Sequence, residues 1–318
     1  MWKLEYVSLG NTGIEVSRMC FGGLIIGPLQ ANLPIDEGAN VIRTALELGV
    51  NFIDTAELYG TYPHIREAIK QAKSRPVIAT KSYAYSAEGA RESFEKARRE
   101  LDVDVIDIFM LHEQESRMTL RGHREALEYY FSMKEKGLIR AVGVSTHNVE
   151  VVEACADMLG IEVIHPIINK SGIGIGDGTI EDMLSAVKRA YDNGKGIYGM
   201  KPLGGGNLLN TYSECMDFVL NIPFIHSVAV GMQSVEEVIM NVCVFNNEPV
   251  PEHIKSIAAD RKKHLHIDFW CEGCGNCVRK CSQEALYLKD NKAKVIEEKC
   301  LLCGYCASAC PNFAIKIC

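Results

Sequence analysis

The stretch VIATKSYAYSAEGARESFEKARREL, residues 77–101, decides the fold of most of this chain. Its first six residues, Val77 to Ser82, include several β-branched and small side chains and predict a buried strand. Apolar residues then recur at helical spacing over residues 90–101, which predicts an amphipathic helix. A strand followed by a helix that crosses back over the sheet is typical of parallel sheets.

The same unit of strand and helix recurs along the first 245 residues. We predict eight strands, at Arg18–Gly23, Asn51–Ala56, Val77–Ser82, Val105–Leu111, Arg140–Thr146, Val163–Asn169, Gly196–Pro202 and His226–Met232. Helices are predicted in the stretches between them, at residues 38–49, 64–73, 90–101, 123–137, 149–160, 179–194, 212–221 and 235–242. Eight such units in about 250 residues predict an α/β fold, the (β/α)8 TIM barrel. The segment LEYVSLGNTGIEV, residues 4–16, predicts an N-terminal β-hairpin on the barrel floor.

A duplicated cysteine pattern fills the last fifth of the chain. The spacing C-x2-C-x2-C-x3-C occurs twice, 29 residues apart, at Cys271, Cys274, Cys277, Cys281 and again at Cys300, Cys303, Cys306, Cys310. This spacing is typical of cubic iron-sulfur clusters, with the fourth thiolate of each run reaching the other cluster. A pair of four-cysteine zinc sites is the alternative, although zinc pairs usually stand farther apart. Disulfides are less expected, because no apolar leader precedes the pattern and closely spaced thiols suit a reducing cytoplasm.

This segment resembles the bacterial two-cluster ferredoxins over roughly Cys271 to Ile317. The resemblance implies a small α+β domain with two 4Fe-4S clusters. One cluster would be bound by Cys271, Cys274, Cys277 and Cys310, and the other by Cys300, Cys303, Cys306 and Cys281. The expected domains are therefore the barrel at 1–245, a linker or helical connection at 246–270, and the ferredoxin-type domain at 271–318.

Charge and hydropathy exclude two classes of partner. The net charge is −7 and the basic residues are scattered, so we expect no nucleic-acid partner. No apolar run reaches the roughly 18 residues of a membrane span, so we expect no membrane partner and a cytoplasmic location.

Polar residues fall at the carboxyl ends of neighbouring predicted strands, where barrels of this kind build their active sites. Asp54 ends the second strand and Tyr59 follows it, Lys81 lies in the third, and His112 follows the fourth. We refer to these four residues as the polar tetrad. Each alone has an ordinary structural explanation, but together they indicate a catalytic site.

The segments around the polar tetrad resemble the aldo-keto reductase family. They read NFIDTAELYG (51–60), VIATKS (77–82) and DIFMLHEQE (107–115), and the likeness continues through GLIRAVGVS (137–145) and MKPLGGG (200–206). The resemblance covers roughly Leu4 to Val244 and implies carbonyl reduction with Tyr59 as general acid. Lys81 would make the phenol a better proton donor, Asp54 would hold Lys81 charged, and His112 would hydrogen-bond the carbonyl oxygen.

The same resemblance implies NAD(H) or NADP(H) as cofactor. The positions that match the family's cofactor contacts are Ser145, Asn169, Met200, Lys201, Pro202, Leu203, Gly204, Gly231, Gln233, Ser234, Glu237 and Asn241. Met200 stands where an aromatic residue is usual, and His165 where a glutamine is common. Residues 231–241 contain no Lys or Arg for a 2'-phosphate, so we expect no strong preference for NADPH. These departures leave room for a flavin, although nothing in the sequence requires one.

The leading hypothesis is an oxidoreductase that converts a small carbonyl compound or alcohol and exchanges electrons through its clusters with a ferredoxin-like or other redox protein. A ferredoxin-linked reductase with little use of NAD(P) is the alternative, and it could contain a flavin. A third hypothesis is an electron-transfer module whose barrel is catalytically idle.

Overall fold

A computed structural model describes residues 4–260 and 263–318, and its larger part is a closed barrel of parallel strands. The hairpin strands β1 (Tyr6–Ser8) and β2 (Glu15–Ser17) pair antiparallel ahead of it. The barrel strands are β3 (Met19–Gly22), β4 (Phe52–Asp54), β5 (Val77–Ser82), β6 (Ile106–Gln114), β7 (Ile139–Thr146), β8 (Val163–Pro166), β9 (Gly196–Met200) and β10 (Ser227–Gly231). They follow one another around the barrel, and β10 closes it against β3. The predicted barrel is confirmed.

Helices connect the strands and cover the barrel. They are α1 (Ile35–Glu47), α2 (Tyr62–Ile69), α3 (Ala87–Leu101), α4 (Arg117–Gly122), α5 (Arg124–Glu135), α6 (Val149–Asp157), α7 (Ile180–Asp192), α8 (Tyr212–Leu220) and α9 (Val235–Phe245). Their apolar faces pack on the outside of the strands in one continuous core. The strand β5 is buried along its whole length, as expected for a parallel sheet that is covered on both faces. No helix in the described part of the chain has the length and apolar character needed to cross a bilayer.

The cysteine-rich unit, residues 263–318, has its own small sheets. Helix α10 (Glu252–Asp260) leads towards it, and β11 (Leu265–Ile267) pairs antiparallel with β14 (Ile315–Ile317). Helix α11 (Asn276–Lys280) precedes the hairpin of β12 (Leu286–Lys289) and β13 (Lys292–Val295). The strand β11 lies inside the predicted linker 246–270. Because β11 pairs with β14, the last residues of this linker belong to the cysteine-rich unit. Residues 1–3, 261 and 262 of the predicted ranges lie outside the described residues. The domain boundaries remain a proposal.

The strand β14 lies directly on the glycine-rich loop that follows β9. The Ile317 amide donates to the Gly205 carbonyl at 3.0 Å, and the Asn207 side chain donates to the Ile315 carbonyl at 3.0 Å. A Cβ on Gly206 would lie 2.0 Å from the Ile317 carbonyl oxygen, and Gly206 has a φ of +83°. Only glycine allows both this backbone conformation and this close approach. The loop therefore seats the cysteine-rich unit over the carboxyl end of the barrel.

We predict that Gly206→Ala loosens this junction. An alanine with this positive φ should lower the free energy of unfolding by about 1–3 kcal/mol. The overlap of its Cβ with the Ile317 carbonyl oxygen should lower it further. Urea unfolding of anaerobically purified protein should show a lower midpoint. Gly122→Ala is the matched control, because a Cβ at the end of α4 meets nothing within 4 Å. Equal midpoints for the two variants would contradict the proposed role of Gly206.

Candidate active site and cluster sites

The four residues of the polar tetrad meet at the carboxyl end of the barrel. Parallel pairing sets Asp54 of β4 beside Ala79 of β5, and Lys81 of β5 beside Met110 of β6. A short 3-10 turn, Glu57–Tyr59, brings Tyr59 back over the end of β4. Because neighbouring parallel strands end at the same edge, sequence positions far apart become neighbours in space.

Lys81 and Asp54 form a buried ion pair. The Lys81 ammonium lies 2.8 Å from both carboxylate oxygens of Asp54 and donates to the Thr55 carbonyl at 2.8 Å. The Tyr198 hydroxyl donates to Asp54 at 2.8 Å. Burial by itself would raise the pKa of Asp54, but the charges of Lys81 and His165 and these hydrogen bonds outweigh it and hold the pKa below its ordinary value. A pair buried this deeply is stable only when its remaining hydrogen-bonding groups are satisfied.

Tyr59 and His112 form the second half of the tetrad. The Tyr59 hydroxyl lies 3.4 Å from His112 Nε2, and the Lys81 ammonium lies 5.0 Å from the Tyr59 ring centre. Burial raises the pKa of Tyr59 well above its ordinary value, and the charges of Asp54 and Glu113 raise it further. Burial lowers the pKa of His112 to about 3. A neutral phenol therefore faces a neutral imidazole, an arrangement that can hydrogen-bond an uncharged carbonyl oxygen.

A cavity of about 890 Å³, which we call the chamber, separates the tetrad from the cysteine-rich unit. Tyr59 and His112 line its barrel side. Phe269, Trp270 and Phe313 line the opposite side. The chamber is therefore a site between two units, with the proposed proton donor on one wall.

A second and narrower cavity of about 190 Å³, which we call the groove, runs from Asp54 and Tyr59 along the loops after β9 and β10. The predicted cofactor residues that line it are Met200, Lys201, Pro202, Leu203, Gly231, Gln233, Glu237 and Asn241. Ser145, Asn169, Gly204 and Ser234 are not part of its lining. Residues Lys316 to Cys318 of the cysteine-rich unit line it instead, next to Gly205 and Gly206.

Several side chains expected to contact a nicotinamide are already hydrogen-bonded inside the protein. Ser145 Oγ accepts the Glu113 amide at 2.9 Å. The Asn169 amide group both accepts from and donates to the backbone of Ile173. The groove is also smaller than the roughly 300–1,000 Å³ of ordinary ligand pockets. A dinucleotide in the groove would contact eight of the predicted cofactor residues, without the side chains of Ser145 and Asn169.

The cysteines form two sets, each around a small cavity. One cavity is lined by Cys271, Cys274, Cys277 and Cys310, and the other by Cys281, Cys300, Cys303 and Cys306. The fourth cysteine of each run therefore crosses to the other set. Backbone amides point at the sulfurs, with Ala314 N 3.3 Å from Cys310 Sγ and Ala285 N 3.4 Å from Cys281 Sγ. Such amides stabilise thiolates, so the residues fit a 4Fe-4S cluster in each cavity.

The first cluster cavity adjoins the chamber. Glu272, Pro311 and Asn312 line both of them. The cavity that would hold a cluster is therefore separated from the chamber by single residues.

Sequence reasoning missed a charged group at this junction. Lys316 is 3% exposed, and its ammonium lies 3.2 Å from the Phe313 ring centre and 3.8 Å from Asp268. Burial lowers the pKa of Lys316 well below its ordinary value. Lys201, which was predicted to contact a cofactor, lies 2.7 Å from His147 Nε2. In the sequence, Lys316 stands between Ile315 and Ile317, and a lysine in an apolar run can indicate a buried charge. The sequence does not show which part of the protein would bury it.

We predict that Cys281→Ala disrupts the cluster on the Cys300, Cys303 and Cys306 side, because Cys281 lines that cavity. Wild-type protein prepared without oxygen should contain about eight iron atoms and about eight sulfides per chain. The variant should hold about half as much. Cys215→Ala, which removes a buried thiol of the barrel, is the control and should keep the full iron content. Loss of only the Cys271-side cluster in Cys281→Ala would contradict this arrangement.

The comparisons with known proteins cover both units. The sequence model of the aldo/keto reductase family matches residues 18–219, more than half of the chain. The model of the 4Fe-4S dicluster domain matches residues 270–314 and favours clusters over the zinc alternative.

Individual relatives agree with the first match. L-galactose dehydrogenase of Arabidopsis thaliana is 27% identical over 220 residues, covering 65% of this chain and 68% of that protein. An aldo-keto reductase of Bacillus subtilis is 30% identical over 183 residues, covering 52% of this chain and 54% of that protein. The holo form of an aldo-keto reductase from Bacillus halodurans superposes with a TM-score of 0.63 at 19% identity, over 80% of this chain and 96% of that chain, which supports the fold alone. This chain therefore belongs to the aldo/keto reductase family and carries a 4Fe-4S dicluster domain, which makes it an iron-sulfur oxidoreductase.

Proposed function

We propose that this oxidoreductase interconverts a small carbonyl compound and its alcohol in the chamber, with Tyr59 transferring the proton on oxygen. The hydrogen on carbon would come either as hydride from a nicotinamide or as a solvent proton with electrons from the cluster side. The observation that carries the proposal is the assembled tetrad, with Tyr59 and His112 on the chamber wall and the Lys81–Asp54 ion pair behind them. Reduction places negative charge on the carbonyl oxygen, so a proton donor and a nearby positive charge stabilise the transition state.

Each tetrad residue has a separate task in this proposal. Tyr59 donates its hydroxyl proton to the carbonyl oxygen as negative charge develops there. His112, neutral in the buried site, hydrogen-bonds the same oxygen and orients it. Lys81 stabilises the phenolate that remains on Tyr59, while Asp54 and the Thr55 carbonyl keep the ammonium in place. Oxidation of an alcohol uses the same groups in reverse.

The two cysteine sets support electron exchange. A 4Fe-4S cluster passes one electron at a time, so a ferredoxin-like or other one-electron protein is the partner we propose. The position of one cysteine set beside the chamber supports electron exchange close to the substrate. Clusters with partly exposed thiolates such as Cys274 need a reducing compartment, and the cytoplasm is our proposed location.

Tyr59→Phe should reduce carbonyl turnover by a factor of about 10² to 10⁴, because it removes the proton donor. Turnover would be measured with small aldehydes and ketones and with either reduced methyl viologen or NADH as electron donor. Tyr85→Phe is the matched control, since Tyr85 is exposed and lines neither the chamber nor the groove. Iron content should be unchanged in both variants. Undiminished turnover in Tyr59→Phe would favour the catalytically idle barrel.

Hydride transfer from a nicotinamide is the second candidate for the electron source. It is favoured by the groove, which is continuous from Tyr59 to Gln233 and Asn241 at the start of α9. The hydrogen bonds of Ser145 and Asn169 and the position of β14 argue against it.

We predict weak binding of both NADH and NADPH, without a hundredfold preference for NADPH. Residues 231–241 supply no Lys or Arg, and a charge-assisted contact of that kind is worth about 1.5–3 kcal/mol. Dissociation constants from equilibrium dialysis of wild type and Gln233→Arg would measure this. Tight binding of either nucleotide by the wild type would make the nicotinamide the electron source.

A further inference from the structure

Large apolar side chains stand exposed around the chamber. Leu58 is 39% exposed, Tyr83 43%, Phe269 63% and Trp270 38%, and all four line the chamber. Exposed apolar groups gathered at one concave site usually mark a binding site, whereas single exposed ones do not. The chamber therefore offers an apolar ligand a site that reaches the tetrad.

Aromatic rings from both units line the chamber. On the barrel side the Tyr83 ring stacks on His112, with centres 4.4 Å apart and an interplanar angle of 27°. On the opposite side Phe269 and Trp270 meet edge to face, with centres 5.1 Å apart. Aromatic faces and edges of this kind bind planar conjugated rings with more energy than their buried area alone provides.

Charged groups of the chamber suit oxygen atoms on such a ring. Tyr59 and His112 can hydrogen-bond one carbonyl oxygen. Lys201 and Lys316 line the same chamber, with the Phe313 ring 5.2 Å and 3.2 Å from their ammonium groups. Glu113 and Asp268 lie beside the two lysines, and Glu115 and Glu272 also line the chamber, so its carboxylates outnumber its lysines. Lys201, whose side chain is partly exposed, is a hydrogen-bond donor for a second ligand oxygen.

The way in which electrons arrive restricts the chemical class of the ligand further. Conversion of a carbonyl to an alcohol takes two electrons, whereas a 4Fe-4S cluster passes one. A simple aldehyde that holds one extra electron is a high-energy radical, so it is reduced readily only where both electrons arrive together, as hydride supplies them. A quinone or a flavin spreads that electron over its conjugated ring, so it can take the two electrons in separate steps. A ligand that lies beside the first cluster cavity needs this property.

We propose that the chamber binds a planar conjugated ring with two carbonyl oxygens, the chemistry shared by quinones and flavins, between the tetrad and the cysteine set containing Cys310. This inference rests on the proposed function for the role of Tyr59 in proton transfer. For a quinone, two electrons and two protons give the hydroquinone. The two electrons would come from a reduced ferredoxin-like protein, one at a time, through the 4Fe-4S clusters that the two cysteine sets would hold. Tyr59 gives one proton to the nearer oxygen, and solvent in the chamber supplies the other and reprotonates Tyr59.

Equilibrium dialysis of anaerobic, iron-replete protein against 2-methyl-1,4-naphthoquinone tests the proposal. We expect saturable binding at micromolar concentration, and no saturable binding of cyclohexane-1,4-dione, which has two carbonyl groups but no conjugation. Phe269→Ala should weaken naphthoquinone binding about tenfold by removing one ring contact. Tyr287→Ala is the matched control, because Tyr287 is 41% exposed on the same unit and lies outside the chamber lining. Iron content of all variants verifies that the cysteine-rich unit is folded.

A parallel titration with FMN, and the absorbance spectrum of the purified protein, distinguish the two sources of this chemistry. Tight FMN binding that excludes the naphthoquinone would identify a flavin as the occupant and support the proposal. Saturable binding of neither compound would overturn it, as would equal weakening by Phe269→Ala and Tyr287→Ala. Tyr59→Phe should still bind the naphthoquinone saturably, more weakly by the loss of one hydrogen bond, and should reduce it more slowly. Binding with undiminished reduction in Tyr59→Phe would remove the proposed function of Tyr59 and leave the binding site intact.

Discussion

The close approach of strand β14 to the glycine-rich loop after β9 is the constraint on which the rest of the structure depends. The Ile317 amide reaches the Gly205 carbonyl only because Gly206 has no Cβ at that point. This contact places the cysteine-rich unit over the barrel mouth, which gives the chamber its second wall. It also occupies the backbone of the glycine-rich loop, whose Gly205 and Gly206 line the groove.

Burial determines which groups at the carboxyl end of the barrel carry a charge. The Lys81–Asp54 ion pair would be unstable there without the Thr55 carbonyl and the Tyr198 hydroxyl, which satisfy the groups that the pair leaves free. Next to this fixed charge pair, Tyr59 and the His112 imidazole are both neutral. A site of this kind holds its charge in a fixed place and exposes neutral hydrogen-bonding groups to the ligand, which suits an uncharged carbonyl oxygen.

Three residues at the junction of the two units have a strained backbone. Glu113, Lys201 and Phe313 have φ values of 42°, 58° and 46°, a region that non-glycine residues rarely adopt. All three line the chamber, and Lys201 lies 3.7 Å from the Glu113 carboxylate and 5.2 Å from the Phe313 ring centre. Each such residue costs about 1–3 kcal/mol and persists only where its surroundings hold it. The packing of the two units provides those surroundings.

The sequence by itself determined the barrel, the convergence of the polar tetrad and the two cysteine sets. Strand and helix periodicity, strand ends and cysteine spacing are local patterns, and parallel strands bring their ends together wherever they occur in the chain. Only the tertiary structure decided that Gly205 and Gly206 receive a strand, that Asn169 is hydrogen-bonded within its own loop, and that Lys316 and Phe269 line the chamber. Those roles depend on how one folded unit packs against another, and the periodicity of either segment contains no information about its partner.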